Sequence, residues 1–226
     1  TLKDEDGISI RQAMMNFGII PDLNNAVRYK NSIKAFLELH IEQGPVLEAH
    51  NKDIGIVKNI AGQKVYKVDI RGKAGHAGTT PMNLRHDALI AASKAIIKLD
   101  STVKEKGNDT VVTVGELYVA PGAANVIPGY VEFTIDIRSS DEEIVQEIIL
   151  TFEEALKLIE NDFGVKVSLN ETFYAASVEL SGIIKNIIKE EVSQLGYDSV
   201  CMRSGAGHDA MIMAEYVPTG MIFVPS

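Results

Sequence analysis

Three of the five histidines in this 226-residue chain, His40, His76 and His208, stand in settings that suit chemistry. His40 lies in Leu37-Glu38-Leu39-His40-Ile41-Glu42, where apolar and polar residues alternate. Period two puts His40, Glu38 and Glu42 on the polar face of a half-buried strand, which ends at Gly44-Pro45. A neutral imidazole presented into a cleft from such a strand is a common metal donor; the plainer reading is a polar residue on a half-exposed face. His76 lies in Gly75-His76-Ala77-Gly78-Thr79-Thr80-Pro81. Glycines let the backbone approach a ligand, and a helix capped by Thr80 with Pro81 in its first turn would add partial positive charge. A histidine there suits donation to a developing oxyanion, or is simply a turn residue before a cap. His208 closes Ser204-Gly205-Ala206-Gly207-His208-Asp209 before an apolar segment. Asp209 as a helix cap is the bland account, and His208 as a substrate contact the sharp one. Ser204 lacks the Gly-x-Ser-x-Gly elbow of a nucleophile, and Gly205-x-Gly207 lacks the strand and third glycine of a dinucleotide site.

Asn125 and Arg138 form a second pair of candidates. Asn125 sits in the turn Pro121-Gly122-Ala123-Ala124-Asn125-Val126-Ile127-Pro128-Gly129, and Arg138 follows Asp136 on the polar face of the next strand. A guanidinium fork can clamp a carboxylate at two points. The alternatives are a surface pair of Arg138 with Asp136 and an ordinary turn asparagine.

The elements that must position these residues are regular from residue 63 onward. Tyr66, Val68 and Ile70 share one face of a strand. Ala88, Ala91, Ala92, Ala95 and Leu99 form a helical stripe, and Thr110 to Val119 reads as a strand. Val131, Phe133, Ile135 and Ile137 alternate, and Ser140 with Glu143 makes a capping box. The helix after that box carries Ile144, Ile148, Phe152, Leu156 and Ile159, and Val165, Val167 and Leu169 close the series. Strand, helix, strand, strand, helix, strand is the ferredoxin-like βαββαβ arrangement. The expected organisation is α/β with this α+β unit inserted: residues 63–173 form the insert, and residues 1–62 and 174–226 form parts of a second domain. A helix with Ile183, Ile184, Ile187, Ile188 and Leu195, stopped by Gly196, belongs to the latter.

A net charge of −9 disfavours nucleic acid, and no apolar run is long enough to span a bilayer. Cys201 is the single cysteine, which excludes an internal disulfide and fits a reducing, cytoplasmic setting. Thr1 opens the chain without a secretory signal, and Phe223-Val224-Pro225-Ser226 stops within a strand pattern, so both ends read as cut.

Four islands of this sequence together resemble the N-carbamoyl-L-amino acid hydrolase, allantoate amidohydrolase and β-ureidopropionase group of the M20 metallopeptidase-like superfamily. They are Leu37 to Glu48; Gly75 to Met82 with Arg85, Asp87 and Ala88; Asn125 to Gly129 with Asp136 to Arg138; and Ser204 to Ala210 with Pro218 to Ser226. The resemblance implies that the βαββαβ insert is a lid and dimerisation domain. His40 then corresponds to a ligand of a two-metal site holding zinc, manganese, cobalt or nickel. His76 corresponds to a lid histidine that stabilises the tetrahedral intermediate in a partner subunit. Asn125 and Arg138 correspond to lid residues that grip the substrate carboxylate across the dimer, and lid closure brings all three onto the neighbour's metals. Gln43, Gln63, Gly207 and His208 correspond to pocket positions. The implied partners are a small carboxylate-bearing ureido substrate and a second copy of the chain, with no nucleic acid and no membrane. The group's remaining metal ligands and its glutamate base have no match here, so this stretch alone is expected neither to hold metal tightly nor to catalyse. A non-catalytic dimerisation module and an M20 exopeptidase are the alternatives.

Overall fold

Ordering of the backbone begins with short-range capping. The computed structural model describes residues 2–22, 24, 27–29, 31–106 and 109–226, with residues 1–35 as one unit and 36–226 as another. In the first unit, helix α1 (Ile10–Asn16) begins where the Ser9 hydroxyl accepts from the Gln12 amide at 3.2 Å, and none of its residues is buried.

In chain order the second unit runs β1 (Phe36–Ile41), α2 (Val46–Ala49), β2 (Ile54–Ile60), β3 (Gly62–Arg71), β4 (Gly75–His76), α3 (Ala88–Lys106), β5 (Val111–Thr113), β6 (Leu117–Ala120) and β7 (Val126–Ile127). It continues with β8 (Tyr130–Ser139), α4 (Glu142–Phe163), β9 (Lys166–Ala175), β10 (Val178–Glu179), α5 (Gly182–Gln194), β11 (Ser199–Ser204), α6 (Asp209–Met213) and β12 (Thr219–Val224). One sheet has the order β1-β12-β2-β10, with β11 also paired to β2; β1 runs parallel to β12, and β11 parallel to β2. The other is antiparallel, with β5 and β6 in turn on β8, then β3, then β9. With α3 and α4 this second sheet has the expected βαββαβ order.

Alternation on β8 and β3 builds the main core. Val131, Phe133, Ile135 and Ile137 meet Tyr66, Val68 and Ile70 beneath the alanine stripe of α3 and Ile148, Phe152 and Leu156 of α4. Each large apolar side chain withdrawn here contributes roughly 1.5–3 kcal/mol. Gln63, Asp136 and Arg138 occupy the alternate positions, on the opposite face of the sheet.

Several local expectations are corrected. Helix α3 begins at Ala88, not at Thr80-Pro81, because Asp87 Oδ1 accepts from the amides of Leu89 and Ile90. Residue 85 is extended and residue 86 bridges to Lys73, so the helix cannot reach back to residue 81. Helix α4 is capped by Asp141, which takes the amides of Glu143 and Ile144, rather than by a Ser140–Glu143 box. The stretch 110–119 is two short strands, not one. The apolar row of β1 is the exposed one: Leu37, Leu39 and Ile41 are 56, 67 and 46% exposed, while Glu38 and His40 are half-buried. Helix α5 lays Ile184 and Ile188 on Ile56 and Ile222, and Gly220 lets it come so close that a Cβ there would lie 2.2 Å from Ile184. Among the described residues that cover stops short of β1.

The cap assignment is checked by denaturation. Asp141→Ala should lower stability by about 1 kcal/mol, and Ser140→Ala by less than half of that, in urea titrations with an unchanged m-value.

Candidate functional site

His40 projects from β1 on the face it shares with Glu38, and the register sets it opposite Phe223 of β12. Its Nδ1 lies 2.8 Å from the carbonyl of Ile41. A carbonyl only accepts, so the ring proton sits on Nδ1 and Nε2 presents a lone pair. That pairing of one imidazole nitrogen with a carbonyl is the usual support of a metal-binding histidine.

His208 packs edge-on against His40 with ring centroids 4.7 Å apart, and against Phe223 at 5.6 Å. Its side chain is 3% exposed. Nε2 lies 2.8 Å from the Ser204 hydroxyl, and Nδ1 lies 3.7 Å from Glu38 Oε1. Burial pushes the His208 pKa below the usual histidine value; Glu38 opposes this, and His40 adds to it. Asp209 is not the cap of α6. His208 occupies the cap position without a side-chain bond, and Glu38 Oε2 reaches across from β1 to accept from the Ala210 amide at 2.7 Å.

Arg138 ends β8 as half of a polar network. Its Nε lies 3.1 Å from Asp136 Oδ1, and its Nη2 lies 2.8 Å from Oδ2. Gln63, opposite Arg138 in the β3–β8 register, donates to the same Oδ2 at 2.9 Å. The remaining Nη1 donates to the carbonyl of Gly205 at 2.8 Å. The Asp136 hydrogen bond raises the guanidinium pKa further, so it is always charged. Arg138 thus touches the Ser204–His208 loop of its own chain. It borders an open hollow of about 660 Å³, also lined by Thr113, Glu116, Thr134 and Asp136.

His76 and Asn125 meet elsewhere. Strand β4 pairs with β7, and the Ala77 amide donates to the Asn125 carbonyl at 2.9 Å. The Gly78 amide donates to His76 Nδ1 at 3.1 Å, so Nδ1 is an acceptor and Nε2 carries the hydrogen on an exposed ring. Arg85 fastens the loop through the carbonyls of Ala77 and Thr80, at 2.6 and 3.1 Å. This pair lies before Tyr130, where β8 starts, whereas Arg138 lies at its far end. Eight residues at about 3.3 Å each separate the ends of β8 by roughly 26 Å. Within one copy of the chain His76 and Asn125 therefore lie before the start of β8, and Arg138 near its end.

The remaining candidates are peripheral. Gln43 is exposed just past β1 with φ +55°, and Gly207 is exposed, with nothing within 4 Å of where a Cβ would stand. Glu38 and Asp136, each two positions from a candidate on one strand face, were not singled out from the sequence, and they supply the carboxylates that contact His208 and Arg138. Among the described residues no three His, Cys, Asp or Glu side chains cluster as a metal site. His40 fits a divalent ion as one donor, and the rest of a donor set is not among them.

Residues 58–162 match the peptidase dimerisation domain of the M20 family. The chain is 41% identical over 227 residues to an N-carbamoyl-L-amino-acid amidohydrolase of Paenarthrobacter aurescens, covering 100% of this chain and 55% of that one. It is 39% identical over 228 residues to the allantoate amidohydrolase of Escherichia coli K12, covering 99% and 54%. A crystal structure of a hydantoinase/carbamoylase family amidase from Burkholderia multivorans superposes with a TM-score of 0.88 at 35% identity, over 99% of this chain and 54% of that one. The chain spans about half the length of the curated relatives it matches.

Opposite tautomers should be visible in the two accessible rings. Nitrogen–proton correlation spectra of neutral imidazoles should show hydrogen on Nδ1 of His40 and on Nε2 of His76; the same tautomer at both would contradict the geometry.

Proposed function

We propose that this chain, which belongs to the M20 amidohydrolase group, supplies part of the active site of an enzyme that hydrolyses a linear C–N bond in N-carbamoyl-L-amino acids, allantoate or related ureido acids. The observation that carries this reading is the meeting of three groups at one loop: the bare Nε2 of His40, the buried His208 against it, and Arg138 on the Gly205 carbonyl. In this reading residues 63–173 are the lid, and residues 1–62 and 174–226 belong to the catalytic domain. The rest of that domain is further chain, which also covers the bare Leu37-Leu39-Ile41 row. The half-length coverage of the relatives supports this.

His40 would supply one nitrogen to a two-metal site, and zinc, manganese, cobalt or nickel bound there would make a bound water acidic and polarise the carbonyl. Every other contribution belongs to the chain's own side chains. Arg138, held flat by Asp136, receives the substrate carboxylate at Nη1 in exchange for the Gly205 carbonyl. Anchoring that end turns the attack at the carbamoyl carbon into a positioned, effectively intramolecular step. Gln63 keeps Asp136 in place, and Gln43, Gly207 and His208 are the further substrate-side residues of this reading. His76 presents Nε2–H to the developing oxyanion, beside Asn125. The length of β8 supports a division of labour: Arg138 serves its own chain's loop, and His76 with Asn125 serves the loop of a second copy in a homodimer.

The full reading frame holding this sequence, loaded with each divalent metal, tests the reading. Ammonia release from allantoate or an N-carbamoyl amino acid is expected. Cleavage of dipeptides alone would favour an exopeptidase, and no hydrolysis at all a dimerisation module. Arg138→Ala should raise KM at least about tenfold, since a charged hydrogen bond is worth roughly 1.5–3 kcal/mol. His76→Ala should lower kcat by about 100- to 1,000-fold. Mixing His76→Ala with His40→Ala subunits should restore activity, and a mixture as inactive as its parents would place His76 outside the partner's site.

A further inference from the structure

Ser204, His208 and Glu38 form a line that resembles a nucleophile, base and acid, yet it cannot act as one. Ser204 is 1% exposed, and its hydroxyl oxygen lies 2.9 Å from the Ala206 carbonyl and 2.8 Å from His208 Nε2, so its one hydrogen serves one of them. The line needs another use. Glu38 is 16% exposed and divides its carboxylate: Oε2 takes the Ala210 amide, and Oε1 faces His208 Nδ1. A carboxylate charge 3.7 Å from Nδ1 favours the Nδ1–H tautomer; in it Nε2 accepts the Ser204 hydrogen, and the Ala206 carbonyl gives that hydrogen up. With the Ser204 hydroxyl bonded at Nε2, the Glu38 carboxylate facing Nδ1 at 3.7 Å and Phe223 against its ring, His208 is held edge-on to His40. His40 is tied on its other side by the Ile41 carbonyl.

We infer that Glu38 is a positioning residue: through His208 it fixes the ring plane of His40 and so the direction of the Nε2 lone pair. Glu38 and His40 share one face of β1, so a single strand carries both the donor and the residue that steadies it. Glu38 also ties α6 to β1, so the brace and the loop that meets Arg138 move together. The assignment deepens the reading of His40 as a metal donor and rests on it.

The test uses the full-length protein with Glu38→Gln. The amide oxygen still accepts from the Ala210 amide, so the fold is kept, but the charge facing Nδ1 is gone. In metal-free protein, imidazole spectra should show His208 losing its pure Nδ1–H form and the His40 ring signals shifting. Cobalt or zinc affinity, measured by competition with a chelating dye, should fall roughly 10- to 100-fold, as when a ligand histidine loses its support. Glu38→Asp should recover part of both effects. Ser204→Ala frees the other side of the ring and should move the His40 signals the same way, which decides the matter if Glu38→Gln does not fold. Unmoved His40 signals, or an unchanged affinity in a variant whose His208 tautomer has switched, would overturn the inference. A wild-type protein that binds no divalent metal would instead overturn the reading of His40 as a donor, and leave the spectra to decide the brace.

Discussion

A buried imidazole needs polar neighbours, and His208 has a hydroxyl 2.8 Å from one nitrogen and a carboxylate 3.7 Å from the other. The partners come from distant parts of the chain: Ser204 ends β11, and Glu38 comes from β1. The strand order β1-β12-β2, with β11 on β2, places both strands in one sheet. The same carboxylate replaces the missing side-chain cap of α6. A change at Glu38 would therefore disturb a cap, a ring and the loop that Arg138 touches, through one group.

The second constraint is the length of β8. Its ten residues carry Arg138 to the loop of the first sheet and leave the turn before Tyr130 at the other end. A strand of that length cannot fold back on itself, so groups at its ends serve different places. The Asp136–Arg138 pair adds a local counterpart. In a chain of net charge −9, the Arg138 guanidinium has a fixed place, held by Asp136, which also accepts from Gln63.

The βαββαβ unit was legible because its signals are local and repeated. Val131 to Ile137 alternate, the alanines of α3 keep helical spacing, and all of these residues are buried as their periods require. The helix starts were read less well. Thr80 and Ser140 are good caps by type, but Asp87 and Asp141 hold the amides, because a cap depends on which residue stands immediately before the first helical turn. The face of β1 was read the wrong way round for a related reason. Period two says that two faces differ, but not which of them another element covers.

Alone, the amino-acid sequence determined the fold class, the strand that carries His40, the turns that carry His76 and Asn125, and the kinship of the whole. All of these rest on patterns within a few residues of one another. Only the tertiary structure decided that Glu38 faces His208, that Arg138 rests on Gly205 of its own chain, and that the β4–β7 turn bearing His76 precedes the start of β8 while Arg138 lies near its end. Such pairings join residues separated by 67 to 172 positions in the chain. Their distances are set by strand length and sheet order, and no local period records either.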